Sequence, residues 1–504
     1  MRNTSVRFVA ACTALALVAA ACGKDRGTAA TSTTVAATTT TAAATTTAAA
    51  ATPTTKAASD TTVPGTPAPT TAATTPPTEA PKLPMFGDAP WPCGPGDGKN
   101  ADTGSEPGVT ATDIKIGDGD DAGYAAAPGL DHEMSDAMKA MVATCNDLGG
   151  INGRKITIDY HDAALFNIGP AMQAACDNKD FFLVGEGWAF DSNQEEIRLG
   201  CSLPAVPGYS VSAAFAHGKD VYEPVPNPSD ETPSGIFEQM ATLLPDAVKK
   251  VGTLAGNFSA TQETRDKIVN VAPQFGWAFS ETKLEYAAAG ETDWTPFVKQ
   301  LQAAGSTAVS WAGSCLPNLQ LFAQAAKANG FNVPIITDTN HYEAKCAAAN
   351  TDGALDNVYF RLSFVPFEEA SVNKATQDFL DVMAKKGGDV AQLGAQSASA
   401  FLLWATAASS CGDTLTRACT LAALAATHAW TGHGLHAEGD PGGNHPPKCS
   451  MIMRIQGTKF VRVTPTAPGT FDCKDSWVSK VTGTPGLVAA KLDANRISQQ
   501  FSGK

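Results

Sequence analysis

The sequence lacks several features that would point to common classes of protein. Beyond the first 21 residues, no stretch has the length and apolarity of a transmembrane helix. Basic residues are scarce, since 36 Lys and Arg face 50 Asp and Glu, and the net charge of −14 argues against nucleic acid as a partner. The chain has no HExxH or CxxC spacing and no GxSxG nucleophile elbow. We therefore expect no enzyme activity, no cofactor and no metal site.

The N-terminus has the pattern of an export signal. Arg2 and Arg7 flank a segment without acids, and an apolar run of 14 residues follows to Ala21. This run is too short to span a bilayer in a mature protein, so it predicts a signal peptide over residues 1–21. Small residues then lead to Cys22, in an imperfect match to a bacterial lipobox. Either Cys22 is lipidated and anchors an extracytoplasmic lipoprotein to the cell membrane, or the chain is secreted and Cys22 is a spare thiol.

The next segment has too few large apolar side chains to fold. Residues 28–84 are almost entirely Thr, Ala, Pro and Ser, with four charged residues. Such a composition cannot offset the entropy lost on ordering, so we predict that residues 22–84 are the lipidated cysteine and a disordered stalk. About 420 residues remain, enough for two domains.

The cysteines suggest a disulfide framework. Of 12 cysteines, Cys12 leaves with the signal peptide and Cys22 serves as the anchor, so an even number remains. An exported chain favours disulfides over metal ligands. Ten cysteines allow about 945 pairings, so the sequence does not determine the connectivity. Close neighbours offer four candidate pairs and leave a fifth: Cys411 with Cys419, Cys449 with Cys473, Cys176 with Cys201, Cys315 with Cys346, and Cys93 with Cys145.

From residue 112 onward, short strands alternate with amphipathic helices. One helix is predicted by apolar side chains at helical spacing from Met134 to Cys145, and it ends at Gly149 and Gly150. The strands form two series, predicted at residues 112–117, 155–160, 181–184 and 202–206, and at residues 251–255, 278–286, 307–311 and 333–337. Helices at about 371–386 and 392–410 and a hairpin of residues 451–455 and 459–463 follow. This alternation indicates βαβ units and a parallel sheet.

The two series predict an α/β fold of two similar lobes, with mainly parallel sheets flanked by helices and a ligand cleft between them. In such sheets a ligand lies beyond the carboxyl ends of the strands, so the lobes should close on a small solute by a hinge motion. We assign residues 85–107 to an N-terminal extension, 108–225 and 366–425 to the first lobe, 233–360 and 426–482 to the second lobe, and 483–504 to a C-terminal tail.

Several segments resemble one known family. Residues 108–117 and 146–155, the second containing the turn GGINGRK, are similar to type I periplasmic binding proteins of the branched-chain amino acid (Leu/Ile/Val) group. Segments between residues 291 and 334 resemble the second-lobe crossover of that group, and the likeness extends over about residues 108–465. The resemblance implies a substrate-binding protein of an ABC transporter, with an ABC permease as partner. The spacing of Cys176 and Cys201 also resembles a disulfide of leucine-binding members.

The resemblance further implies a set of ligand contacts. In leucine-binding relatives, a Ser-rich loop after the third strand grips the ligand carboxylate, whereas residues 185–193 here hold an acid, two aromatics and Ser192 as the only hydroxyl. Phe258 maps to the aromatic that covers the ligand, and Asp338 to the acid that pairs with its ammonium. The ligand-binding residues are thus predicted to be Asp191, Ser192, Tyr209, Ser210, Ser212, Phe258 and Asp338. The altered loop argues against leucine itself, and we expect an amino acid, amide or amine.

The predicted cleft loops are acidic and contain no Arg or Lys; their acids are Asp118, Asp120, Asp121, Glu186, Asp191 and Asp338. These acids are either exposed loop residues and helix N-caps, or two or three of them converge on a cationic ligand, because buried acids need a paired charge. Four aromatics are likewise either walls of the cleft or plain core: Trp188, Phe190, Phe258 and Trp311.

Two features of enzymes and metal proteins have simpler interpretations. His428, His433, His436 and His445 lie in one Gly/Pro-rich segment, and we interpret them as solvated loop residues rather than as metal ligands. The acidic loop at residues 118–121 lacks the ligand at the twelfth position that a calcium loop requires. Two alternative functions remain: a binding protein that presents its solute to a receptor, and an extracytoplasmic metal-dependent hydrolase.

Overall fold

The computed structural model describes residues 84–102 and 104–500. The predicted signal peptide, Cys22 and the predicted stalk up to residue 83 lie outside the described residues. The strands β1 to β16 are Met85–Phe86, Ala89–Pro90, Asp113–Asp118, Lys155–Tyr160, Leu183–Val184, Ala205–Val206, Glu231–Pro233, Val251–Gly256, Phe279–Tyr286, Ala308–Ala312, Ile335–Thr337, Val358–Leu362, Cys449–Gln456, Lys459–Thr464, Asp472–Cys473 and Val478–Lys480. The helices α1 to α13 are His132–Leu148, Ile168–Asp177, Glu195–Gly200, Ala213–Ala216, Gly235–Leu243, Ser259–Val271, Thr295–Ala303, Gln320–Ala328, Ala344–Ala348, Lys374–Lys386, Gln392–Ser410, Arg417–Ala425 and Pro485–Ala490. In this part of the chain, no helix combines the length and the apolarity that crossing a membrane requires.

The first lobe is built on a four-stranded parallel sheet with the strand order β4-β3-β5-β6. Helix α1 covers this sheet with a row of fully buried side chains that includes Met134, Met138 and Met141. The helix ends at Gly149, whose φ of 124° is one that only glycine adopts at little cost. Helices α10, α11 and α12 return to the same lobe, where Phe401 and Trp404 of α11 join the core.

The second lobe is built on a larger mixed sheet with the order β14-β13-β12-β11-β10-β8-β9, to which β15 adds by pairing with β13. Strands β9, β8, β10, β11 and β12 run parallel, and β13, β14 and β15 are antiparallel. All six residues of β8 are buried, as expected of a central parallel strand covered by helices on both faces. Two hydrophobic clusters lie on this sheet, one around Trp311 and Phe322 and one around Phe237 and Trp277.

The prediction of a two-lobed α/β fold with mainly parallel sheets is therefore confirmed. The exact division of the chain between the lobes stays a prediction. Trp430 and Leu435, in a segment assigned to the second lobe, pack in the core of the first. We propose that the first lobe extends at least to Leu435, because these side chains bury their apolar surface there.

Five disulfides connect the ten cysteines of the described residues. They join Cys93 to Cys145, Cys176 to Cys201, Cys315 to Cys346, Cys411 to Cys419 and Cys449 to Cys473. These are the five candidate pairs named from the sequence: four pairs of cysteines close in sequence, and the fifth pair that they left. The first links the N-terminal extension to α1, which fixes the start of the described chain to the first lobe.

Candidate functional site

A cavity of about 220 Å³ lies between the two lobes. The carboxyl ends of β8, β10, β11 and β12 reach it from the second lobe, in the position where open α/β sheets bind ligands. Its first-lobe lining includes Tyr124, Leu130, Asp131, Leu165, Ala189, Tyr209, Ser210, Gln392 and Gln396. Its second-lobe lining includes Phe258, Tyr286, Trp311, Asn318, Asp338, Thr339 and Arg361. The segment that connects the lobes contributes Glu223, Val225 and Asn227.

Aromatic side chains form much of the apolar wall. The rings of Tyr286 and Trp311 stack with centroids 4.9 Å apart, and Trp311 is almost completely buried. Phe258 of the second lobe contacts Phe190 of the first at 5.5 Å, so one aromatic pair bridges the two lobes. Of the four aromatics with two interpretations, Phe258 and Trp311 line the cavity, Phe190 packs behind Phe258, and Trp188 lies in the core.

Several residues that line the cavity carry buried polar atoms without a hydrogen-bond partner among the described residues. They come from both lobes: Tyr124 Oη, Gln392 Oε1 and Nε2, Gln396 Oε1, Trp311 Nε1, Asn318 Oδ1 and Thr339 Oγ1. Native proteins leave few such atoms unsatisfied, because each costs free energy unless a ligand or a water pairs with it. An apolar wall with a few convergent polar atoms is typical of a small-molecule site.

Asp131 is the acid best placed to meet a cationic ligand. It lies half-buried at the start of α1, lines the cavity, and accepts one hydrogen bond, from Tyr209 Oη at 3.0 Å. Burial, together with repulsion from Glu133 and Asp121, raises the pKa of Asp131 well above its usual value. A cation beside it would relieve that penalty, because an opposite charge favours the ionised carboxylate.

Glu223 lines the cavity too, but the protein already satisfies it. Its carboxylate accepts hydrogen bonds from Ser210 N at 3.1 Å, Ser210 Oγ at 2.6 Å and Asn227 N at 3.0 Å. Burial raises the pKa of Glu223 to about 8 even though these bonds lower it. We interpret Glu223 as the group that positions Ser210.

Asp338 lines the cavity, but it has a partner within the protein, and its role as a ligand contact stays a prediction. Arg361 of β12 places Nε 3.0 Å and Nη2 3.3 Å from its two carboxylate oxygens. The predicted cleft loops contain no Arg or Lys, but strand β12 adds a basic side chain to the cavity lining. Arg361 was missed because the predicted strands did not include β12, where Val358, Phe360 and Leu362 face the core and Arg361 alternates with them.

The other predicted ligand residues divide into two groups. Tyr209, Ser210 and Phe258 line the cavity, whereas Asp191, Ser192 and Ser212 do not. Asp191 is buried and accepts hydrogen bonds from Val211 N at 2.7 Å and Ser212 N at 3.0 Å, and Ser212 Oγ caps α4. These two side chains shape the loop that carries Tyr209 and Ser210, and their role as ligand contacts remains only a prediction.

The acids of the first-lobe loops are buried, which overturns their interpretation as exposed residues. Asp120 accepts hydrogen bonds from His132 Nδ1 and Tyr160 Oη, and Asp121 accepts them from Leu165 N and Ala189 N. Asp118, Glu186 and Asp191 are completely or almost completely buried as well. Asp191 does not cap the helix it precedes. Asp120, Asp121 and Asp191 hold neighbouring segments together by these hydrogen bonds, which a sequence pattern alone does not reveal.

Two of the four histidines differ from their interpretation as solvated loop residues, whereas His428 and His445 are exposed. His433 and His436 are buried rather than solvated. His436 Nε2 lies 2.8 Å from Ser399 Oγ and its Nδ1 2.8 Å from Ala437 O, and burial lowers its pKa to about 4. Among the described residues, the groups spaced to hold a metal ion include none of the four histidines.

Comparisons with known proteins agree with this architecture. A family model described as periplasmic binding protein matches residues 207–459, half of the chain. Among solved structures, a fatty acid ABC transporter substrate-binding protein from Thermomonospora curvata has a TM-score of 0.59 at 16% identity, covering 73% of this chain and 98% of its own. An extracellular ligand-binding receptor from Rhodopseudomonas palustris has a TM-score of 0.59 at 17% identity, and the match covers 70% of this chain and 100% of the receptor. A leucine-binding protein from Thermotoga maritima has a TM-score of 0.58 at 16% identity, and the match covers 70% of this chain and 98% of the leucine-binding protein. No curated protein matches the chain.

Proposed function

The chain belongs to the periplasmic binding protein family, and from this membership we propose that it is an extracytoplasmic substrate-binding lipoprotein of an ABC transport system. It binds a small polar solute between its lobes, closes by a hinge motion and presents the closed form to a permease. The structural neighbours include an ABC transporter substrate-binding protein and a leucine-binding protein, which supports the transport role. The lipid anchor is Cys22, and mass spectrometry of the mature N-terminus would identify the diacylated cysteine.

The observation that carries this proposal is the cavity itself. Side chains from both lobes line one apolar space, and several of them carry unpartnered polar atoms, so a ligand in this space contacts both lobes at once. Such a ligand favours the closed arrangement, because only that arrangement allows all the contacts together. No catalytic group is needed for this function.

The ligand is an amino acid, amide or amine, and Asp131 is the acid that receives its amino group. We select Asp131 over Asp338 because Asp338 is already paired with Arg361, whereas Asp131 has one neutral partner. Tyr209 orients the Asp131 carboxylate, and the aromatic wall of Phe258 and Trp311 covers the apolar part of the ligand. Micromolar affinity, about −8 kcal/mol, is within reach of such contacts.

Thermal unfolding of the purified protein with amino acids, amides, amines and short peptides tests the proposal. A ligand at 100 times its Kd stabilises the folded state by about 2.7 kcal/mol. Asp131→Asn should weaken an amine-bearing ligand at least tenfold, whereas Asp136→Asn, one turn further along α1 and outside the cavity lining, should not. If no compound in the panel raises the melting temperature, the proposed ligand class is wrong.

A further inference from the structure

We propose that a side chamber in the second lobe, lined by Lys267 and Arg361, is a subsite for a carboxylate group of the ligand. The inference rests on the proposed function, since it concerns the same cleft, and it specifies the ligand further. A ligand with both groups would place its carboxylate toward the second lobe and its amino group toward Asp131 of the first lobe.

The side chamber adjoins the main cavity. It has a volume of about 50 Å³, and seven residues that line it also line the main cavity: Val211, Asn227, Pro233, Thr264, Thr337, Asp338 and Arg361. A water molecule occupies about 30 Å³ in the liquid, so the chamber accepts a group of the size of a carboxylate but not a whole ligand. Its position therefore suits one end of a molecule whose remainder fills the main cavity.

Lys267 supplies a buried positive charge with no carboxylate at ion-pair distance, although Glu263, Glu223 and Asp338 act on it from further away. It is 7% exposed on α6, and its Nζ donates to Asn227 Oδ1 at 2.8 Å and to Asn227 O at 3.4 Å. These are neutral acceptors, and none of the ion pairs within residues 84–102 and 104–500 includes Lys267. A buried ammonium group is costly unless an anion pairs with it.

Glu263 lies one turn before Lys267 on α6, but other donors occupy it. Its Oε2 accepts hydrogen bonds from Ala213 N at 3.2 Å and Ser229 Oγ at 3.3 Å, so its carboxylate is directed toward the first lobe and the connecting segment. Glu263 also lines the chamber, and its charge favours the protonated form of Lys267, but it forms no ion pair with the Lys267 ammonium group.

Arg361 gives the chamber a second donor group. Asp338 engages two of its five N–H donors and holds the guanidinium in place at the boundary between the chamber and the main cavity. A carboxylate that enters the chamber would therefore meet an ammonium and a guanidinium whose positions are already fixed. Charge-assisted hydrogen bonds of this kind are about twice as strong as neutral ones.

The affinity for carboxylates should depend on the protonation of Lys267. Burial lowers the pKa of Lys267 to about 8, and the charged groups that face it are Glu263, Glu223, Asp338 and Arg361. Above pH 8 the amine becomes neutral, so carboxylate affinity should fall by about tenfold for each further pH unit. A guanidinium at this position would remain charged, so the carboxylate affinity would no longer fall above pH 8.

Matched probes test the subsite with the purified full-length protein. Pentanoate, pentanamide and pentylamine form one set, and phenylacetate, phenylacetamide and phenethylamine form a second. At pH 7 we expect each carboxylate to bind at least tenfold more tightly than its amide, measured by calorimetry and thermal shift. Lys267→Met should abolish this preference, Lys267→Arg should keep it up to pH 10, and Lys299→Met, an exposed control on α7, should leave it unchanged.

The results distinguish this inference from the proposed function. Amides that bind as tightly as the carboxylates, or a preference that survives in Lys267→Met, would overturn the subsite and leave the binding role intact. If Lys267→Met does not fold, the loss of the preference between pH 7 and pH 9.5 in the unaltered protein gives the same test. Failure of every probe, together with failure of the amino-acid panel, would overturn both proposals.

Discussion

Replacing Glu186 by Gln should change how the stability of the protein depends on pH. Glu186 follows β5 in the first lobe, its side chain is completely buried, and neither carboxyl oxygen has a hydrogen-bond partner among the described residues. Burial raises its pKa from 4.5 to about 8. The glutamine variant keeps the size of the side chain but cannot ionise, so it isolates the effect of this one group.

The sign and size follow from proton linkage. Between pH 4.5 and pH 8 the carboxyl group is ionised in the unfolded chain and protonated in the folded protein. Folding then takes up a proton, and the free energy of unfolding falls by about 1.4 kcal/mol for each pH unit. The advantage of Glu186→Gln over the unaltered protein should therefore grow by about 3 kcal/mol between pH 5 and pH 8.

Urea unfolding at pH 5, 6, 7 and 8, followed by tryptophan fluorescence, measures this difference. The lowered pKa values of His217, His341 and His436 change stability in the opposite direction, but they cancel in a comparison of two variants. Glu438→Gln, at an exposed position, is the matched control and should show no trend with pH. Parallel stability curves for Glu186→Gln and the unaltered protein would refute the assignment of a buried, protonated carboxyl group.

Two further predictions concern the first lobe. Removing the Cys93–Cys145 disulfide by a double Ser substitution should cost more stability than removing Cys411–Cys419, because the closed loops span 52 and 8 residues. The chain-entropy model gives losses of about 4 and about 2.5 kcal/mol. Equal losses in urea unfolding would contradict this order. Asp191→Ala should destabilise the protein by about 2–4 kcal/mol, because the backbone N–H groups that now donate to Asp191 would lose their acceptor. Calorimetry on the folded variant should give an unchanged ligand affinity. A lost affinity with unchanged stability would instead support the prediction that Asp191 contacts the ligand.

Much of the fold follows from local patterns in the sequence. Helix α11 begins and ends where its apolar pattern predicted, and the hairpin of β13 and β14 lies within a few residues of its prediction. These elements have long periodic patterns or a clear turn, so the local signal is strong. Strand β12 has five residues and follows a turn rich in Asp, Asn and Gly, so its signal is weak, and with it Arg361 was lost.

The site was harder to predict because its properties depend on contacts between distant segments. Sequence comparison placed Asp338 in the cleft, but its availability depends on Arg361, which lies on the neighbouring strand of the sheet. Lys267 lies on a helix whose pattern gives no reason to expect a buried lysine, because the Asn227 segment that covers it is 40 residues away. Charge pairing and burial of this kind appear only when the chain is folded.

The most direct test of the account is a distance measurement between the two lobes. Because all ten cysteines of the described residues are in disulfides, cysteines introduced at the exposed positions Lys155 and Lys299 can be spin-labelled selectively once Cys22 is blocked or lipidated. Pulsed electron paramagnetic resonance then gives the interlobe distance with and without the panel compound that raises the melting temperature most. We predict a ligand-dependent shift of the distance distribution to a single narrower population, and none in Asp131→Asn at the same concentration of an amine-bearing ligand. A compound that binds tightly while the distance distribution stays the same would contradict binding by closure of the lobes.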